Sequence, residues 1–323
     1  MKLKYLKHLF ALAIFGAAAG VGAQPSYPYK PIKVIVPILP GGAPDVAARL
    51  VGQALSEALK QPVVIDNKPG SNGNIAGDLV AKSAPDGHTL LLAADSGIVV
   101  NPHVYAKMPF DPLKDLVAVT TIAANQFVLT INPNLPPKTF NEFVDYAKKA
   151  NPPLYYASAG NGSQHHLTME LLKQAAGLNL VHVPYKSGAA ATNAAVAGEV
   201  AAMFAGSSNA GQIKSGRLRA LAVTSPTAVP EYPNLPPIAA TYPGFESKIW
   251  LGLFAPAGTP PEVIERLRME IQKILRTPNI QQKLADAGGM EAFITTPREF
   301  DALIQRDFQK YGKLVKDLNL KID

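Results

Sequence analysis

The sequence predicts a two-lobed α/β protein, and three observations point there. Short β-rich runs alternate with helical patterns along almost the whole chain, the rhythm of strands flanked by helices. Its 323 residues exceed one average domain of roughly 100 to 200 residues. A Pro-rich connection from Ser225 to Pro243 then breaks the rhythm before one more apolar strand, where the polypeptide returns between lobes. Composition narrows the class further. Hydrophobic residues make up 47% against 17% charged, which excludes a charge-rich disordered chain. The absence of cysteine excludes disulfides, zinc-thiolate sites, iron-sulfur clusters, thiol nucleophiles and a lipidated N-terminal cysteine.

Residues 1–23 stand apart from the fold. Lys2, Lys4 and Lys7 precede an uncharged run from Leu9 to Val21, and Val21-Gly22-Ala23 offers the small residues of a cleavage site, so a secretory signal cleaved after Ala23 is expected. The run is too short and too rich in Ala and Gly for a membrane anchor. Its removal takes three of the 31 basic residues and none of the 24 acids, leaving a mild positive excess. The basic residues are dispersed and not interleaved with aromatics, which argues against nucleic acid.

The strands and helices follow in order. Ile32 to Val36 reads as a strand, then a glycine turn, then a helix with Val46, Leu50, Ala54 and Ala58 on one face. Val63 to Ile65, a helix from Ile75 to about Ser83, and Thr89 to Ala93 complete three strands of a first sheet. Leu116 to Pro137 is uncharged but carries Asn125, Gln126, Asn132 and Asn134, and so reads as strands and a turn. The second set comprises Phe127 to Ile131, a helix from Phe140 to Ala150, Leu154 to Ser158, a helix from about Gln164 to Ala176, and Leu180 to Val183. Ala189 to Ala197, Val200 to Phe204 and Leu218 to Val223 follow. Ile249 to Phe254 and two strongly patterned helices end the chain.

Helix starts are of two kinds. Thr139-x-x-Glu142, Thr259-x-x-Glu262 and Thr296-x-x-Glu299 are capping boxes, the latter two with Pro260 and Pro297 at the first helical position, and read as scaffold. The helices after Pro40-Gly41-Gly42-Ala43, Gly160-Asn161-Gly162 and Ser187-Gly188 begin at glycine-rich loops after strand ends. There, unpaired N–H groups and the positive end of the helix dipole can meet an anion. The alternative is that Ser163 or Asp45 caps its own helix while the glycines only make turns.

Several chemistries are disfavoured. Gly160-Asn161-Gly162 lacks a third glycine, since His165 stands there, and no acid lies near Val181 to Tyr185 to take a ribose. No P-loop pattern occurs, so no nucleotide cofactor is implied. Adjacent His165 and His166 point to different helix faces without a metal-ligand motif, so no metal is expected; His182 and Asp95 are their distant polar partners. Ser158 and Ser163 lie outside any nucleophile elbow. Because a triad is recognised by geometry, an exported hydrolase stays as an alternative. Trp250 reads as core, and Tyr185, at a strand end beside a glycine loop, as a site candidate.

Ordered blocks across the mature chain resemble the Bug family, periplasmic solute receptors of tripartite tricarboxylate transporters. They are Pro37 to Asp45 with Arg49, Asn67 to Ala76, Pro85 to Leu90, Tyr156 to Ser163 before His166-Leu167, His182 to Lys186, Leu218 to Ser225, and Gly252 to Pro260. The resemblance implies a type II, Venus-flytrap periplasmic binding protein, each lobe a mixed sheet flanked by helices. Residues 24–126 with 250–323 would form the first lobe and 127–249 the second. It implies a monomeric receptor, without catalytic residues, that closes on a small di-, tri- or aromatic carboxylate. The receptor would deliver it to the transporter's membrane subunits and could also engage a sensor kinase. Carried over by position, Leu39, Gly41, Gly42, Ala43, Asp95 and Ser96 would line the first lobe. Ser158, Ala159, Gly160, Asn161, Ser163, His165, Tyr185, Ala205, Gly206 and Ser207 would line the second. Two departures matter: Pro44 replaces a small hydroxyl residue, and Ala205 stands where many relatives carry an acid. Without that acid, a di- or aromatic carboxylate is expected rather than an amino acid. A type II receptor of an ATP-driven importer is the other binding-protein reading.

Overall fold

A computed structural model describes residues 27–206, 209–229, 231–287 and 289–321. The expected signal segment and Ser207 lie outside them. Eleven strands among the described residues form two sheets. The first contains β1 (Ile32–Val36), β2 (Val63–Asn67), β3 (Thr89–Ala94), β4 (Leu116–Gln126), β10 (Lys248–Pro256) and β11 (Glu291–Ala292), in the order β11-β4-β10-β3-β1-β2. The second contains β5 (Val128–Ile131), β6 (Leu154–Ser158), β7 (Leu180–Pro184), β8 (Ala202–Ala205) and β9 (Arg219–Val223), in the order β7-β6-β8-β5-β9.

Each sheet keeps three parallel strands, β2-β1-β3 and β7-β6-β8, whose crossovers pass through helices. Each also admits one antiparallel strand that has just arrived from the other lobe. β10 returns to lie between β3 and β4, and β5 leaves to lie between β8 and β9. The two crossings meet at Thr224. Phe127 N donates to Thr224 Oγ1 and Thr224 N to Phe127 O, both at 2.9 Å, while Thr224 Oγ1 donates to Ser247 O at 2.7 Å. One buried hydroxyl thus clasps both connecting segments.

Helices cover both faces of each sheet. In the first lobe α1 (Ala43–Leu59) buries Ala47, Ala48, Val51, Leu55 and Leu59, a stripe spaced by three and four residues, beside α8 (Pro261–Leu275). On the opposite face α2 (Asn74–Ala81), the one-turn α3 (Asn101–Val104) and α10 (Pro297–Asp317) pack around Trp250. Trp250 is fully buried, and its Nε1 donates to Asp307 Oδ2 at 2.8 Å. In the second lobe α4 (Phe140–Lys149) and α5 (Gln164–Ala176) cover one face, and α6 (Gly188–Ala197) covers the other, followed by α7 (Ala210–Lys214). Helix α5 also reaches across: Leu167 is buried in the first lobe's core, and Gln164 Nε2 donates to Asp95 Oδ2 at 2.6 Å.

The C-terminal part departs from the expected two helices. Three form, because α8 stops at Leu275 and Pro278, which has no N–H to continue a helix, opens α9 (Pro278–Asp286). Of the three expected capping boxes only Thr296 with Glu299 is complete. Thr139 accepts from Glu142 N, but the Glu142 carboxylate takes Lys138 N instead. Thr259 caps nothing: its hydroxyl donates to Pro256 O, and with Pro260 and Pro261 adjacent the helix starts two residues later.

Candidate functional site

A cavity of about 550 Å³ lies between the two sheets, lined from both. From the first sheet and the segments packed on it come Gly41 to Pro44, Ala94, the strand segment Ala123 to Asn125, and Ile249 and Leu251, with Ala287 and Met290 closing one side. From the second come Phe127, His165, Gly206, the start of α6 at Gly188 and Ala189, then Thr192, Asn193, Asn209 and Gln212. Among the described residues no Asp, Glu, Lys or Arg lines it. Ser207, Ser208 and Gly288, which border the lining segments in sequence and are not described, are uncharged residue types.

The first-lobe wall is organised by Asp45. Gly41 turns the chain with φ of +91°, a left-handed conformation that suits a residue without Cβ, and its N–H donates to Asp45 Oδ2 at 2.9 Å. Arg49 grips the same carboxylate through Nε and Nη2 at 3.0 and 2.9 Å, and Asn67 Nδ2 donates to it at 2.9 Å. Burial opposes the charge on Asp45, but these bonds outweigh it and hold the carboxyl below the usual carboxylate range. Arg49 is thereby committed to Asp45 and to Asn67 Oδ1. Helix α1 then starts from Gly42, extended at φ −76° and ψ 162°, with no side-chain cap. Its dipole end borders the cavity with the N–H groups of Gly42 and Ala43, since Pro44 has none and Gly41 N is taken by Asp45.

The second lobe differs. Ser163 caps α5 by accepting from His166 N at 3.3 Å, and Ser187 caps α6 by accepting from Ala190 N at 3.2 Å. The expectation of three open helix starts therefore holds only at α1: the serines preceding α5 and α6 turn back onto their own N3 amides. What the second lobe offers instead is neutral polar side chains. His165 leans on the Phe127 ring, centroids 4.6 Å apart, and burial pushes its pKa down to about 4, so near neutral pH the imidazole is uncharged. The Thr192 hydroxyl lies 2.8 Å from Gly188 O and 2.7 Å from Asn209 Oδ1, tying α6 to α7 beside the cavity.

The structure brings together Gly41, Gly42, Ala43, His165 and Gly206 from the positions read in the sequence. It places the other described positions elsewhere. Leu39 projects outward with 70% exposure. Asp95 is fully buried, accepting from Ser96 N and Gln164; burial first, then the nearby Asp307, raises its carboxyl well above the usual range. Ser96 borders a separate pocket of about 140 Å³ with Ile38 and Asn72. Ala159, Gly160, Asn161 and Ser163 form the loop before α5 but are not in the lining, and the Tyr185 hydroxyl is 3.3 Å from Glu199 Oε2. Ala205 is fully buried at the end of β8. Ser158 is fully buried too, its Oγ 2.6 Å from His182 Nε2, and Gly160 N donates to it at 3.0 Å. A serine beside a histidine is the start of an acyl-transfer site, but this one has no access for a substrate. His182 instead stacks on His166 at 3.9 Å and 6°, and Gly162 N donates to His166 Nδ1, so the pair pins the loop.

Sequence reading missed the cavity floor. Ile249 pairs with Asn125 and Leu251 with Ala123 in the β10–β4 ladder, residues more than a hundred positions apart that only the returning strand unites. Gly188 and Thr192, four apart on α6, could have been paired from helical spacing alone.

Two α/β lobes, joined by two clasped crossings and enclosing a cavity between them, define the two-lobed architecture of a solute-binding protein. The chain belongs to the tripartite tricarboxylate transporter receptor family, TctC, whose family model matches residues 47–320. It is 34% identical over 320 residues to protein BugT of Bordetella pertussis, covering 97% of this chain and 98% of the relative. Among solved structures it is similar to Rpa4515 of R. palustris with adipate, with a TM-score of 0.82, 31% identity, and 91% and 99% of the two chains covered. It is also similar to MatC of Rhodopseudomonas palustris with bound malate, with a TM-score of 0.77, 28% identity, and 90% and 100% covered. Members of this family are periplasmic solute-binding receptors, and the ligands in these two structures are carboxylates.

Proposed function

We propose that this protein is a periplasmic receptor that closes its two lobes on a small carboxylate and passes it to the membrane subunits of a tripartite tricarboxylate transporter. The observation that carries the reading is the open start of α1 at Gly42, set in a cavity with no charged lining among the described residues. An anion there meets oriented N–H groups and a positive dipole end, while the first-turn Asp45 carboxylate is already engaged by Gly41 N, Arg49 and Asn67. Residues 24–126 with 250–323 form one closing body and 127–249 the other, with Thr224 clasping the crossings. Residues 1–23 direct export and are removed. Ligand contacts come from Gly42 and Ala43 on one side and from His165, Gly188 and Asn209 on the other. With no acid in the lining among the described residues, an ammonium group finds no counter-ion there, so amino acids are excluded in favour of carboxylates lacking one.

A thermal-shift screen of residues 24–323 against aliphatic and aromatic carboxylates, amino acids and esters tests this. Ligand at 100 times its dissociation constant adds about 2.7 kcal/mol to the folded state, a shift of a few degrees in a chain of this size. Shifts with carboxylates and none with amino acids are expected; shifts confined to amino acids or esters would refute the reading.

A further inference from the structure

The first-lobe side of the cavity carries no charged side chain among the described residues and is apolar apart from the backbone at Gly41 to Ala43 and the neutral Asn125 amide. Ala123, Ile249 and Leu251 give this side a hydrocarbon floor from two paired strands, with the Met290 thioether at its edge; Ala123, Leu251 and Met290 also close the first lobe's core, so each shows the cavity only a small part of its surface. Strand alternation sets the sides: Trp250 and its ladder partner Ala124 point into the core around α10, so Ile249 and Leu251 point the other way, Ile249 between the lobes and Leu251 at the cavity edge of the core under α1. Arg49, the cation on α1 itself, is held by Asp45 and Asn67 and is absent from the lining. Polar side chains lie across from this floor, on the second lobe, and all are neutral.

We infer that the ligand is a monocarboxylate with an apolar body, its single anionic end at the open start of α1 and its hydrocarbon or aryl part against Ile249, Leu251 and Met290. This rests on the carboxylate-receptor reading and sharpens it. A second carboxylate, carried into the closed cavity at the far end of the body, would lose its hydration against the floor without a cation to pair with. A far-end ammonium would lose as much, since no acid lines the cavity among the described residues. An alkyl or aryl end instead gains from leaving water.

Three probes of six carbons separate these terms: hexanoate, adipate and 6-aminohexanoate, whose sixth carbon is a methyl, a carboxylate or a methylene bearing an ammonium. Calorimetric titration of residues 24–323 should show hexanoate binding at least about tenfold more tightly than either of the others. Ala287→Arg, at a half-buried position on the same side of the cavity, should move the preference toward adipate by about tenfold. Adipate or 6-aminohexanoate binding the wild-type protein as tightly as hexanoate would overturn the inference and leave the carboxylate reading standing. If all three fail to bind, and benzoate, phenylacetate and malate fail as well, the carboxylate reading falls with it.

Discussion

The two walls of the cavity reach similar neutrality by opposite routes. On the first lobe, α1 leaves its N-terminus open because Gly42 has no side chain to cap it, and Asp45 is drawn aside by Gly41 N, Arg49 and Asn67. On the second, Ser163 and Ser187 close α5 and α6, and neutral His165, Thr192 and Asn209 supply the polarity. The difference teaches that a glycine-rich loop before a helix is not by itself a ligand site. What decides is whether a neighbouring side chain takes up the first-turn amides. One lobe carries an oriented dipole over an apolar floor, and the other carries adjustable hydrogen-bonding groups.

Placing an acid at the open start should break that contrast most strongly. Gly42→Asp puts a carboxylate where the ligand's anion is proposed to sit. It should weaken binding of hexanoate or adipate by at least about a hundredfold in calorimetry. Gly42 has an ordinary φ of −76°, and the added Cβ meets only the flexible end of Ile38, so the fold should persist by circular dichroism. Retained affinity would mean that the anion sits elsewhere.

Acid should separate the lobes next. His165, His166 and His182, all in the second lobe, are held at about pKa 4, chiefly by burial. Their unfolded-state pKa is near 6.5, so between pH 6.5 and about 4 the unfolded chain binds more protons than the folded one. Stability contributed by keeping them neutral is therefore intact above pH 6.5 and is lost as pH falls toward 4. Hydrogen exchange compared at pH 7 and pH 5 should show peptides of residues 154–184 losing protection before those of residues 32–67. Equal loss in both would contradict the assignment.

The smallest expected effects come from the caps. Ser163→Ala and Ser187→Ala should each cost about 1 kcal/mol of stability in denaturant titrations, with affinity changed by no more than about twofold. A large loss of affinity with either would mean that these hydroxyls face the ligand after all.

Much of this architecture was legible in the sequence, because strands and helices announce themselves by periodicity. β6 and α5 fall where the apolar pattern put them. The crossings were harder. Nothing local in Phe127 to Ile131 or Ile249 to Phe254 says that each strand inserts antiparallel into a sheet built mainly by a different part of the chain. The cavity floor depends on that insertion, so Ala123, Ile249 and Leu251 gave no sign of their role. Caps were ambiguous for a different reason: Ser163, Ser187 and Thr259 are all competent donors and acceptors, and only the position of each relative to its helix start decides whether its oxygen turns back.

The most direct measurement is a crystal structure of residues 24–323 with a bound carboxylate. The account predicts a carboxylate oxygen within about 3.2 Å of a backbone N–H of Gly42 or Ala43, a body resting on Ile249 and Leu251, and no Lys or Arg nitrogen paired with the ligand. A carboxylate clamped by Arg49 or another cation, or seated away from the start of α1, would contradict it.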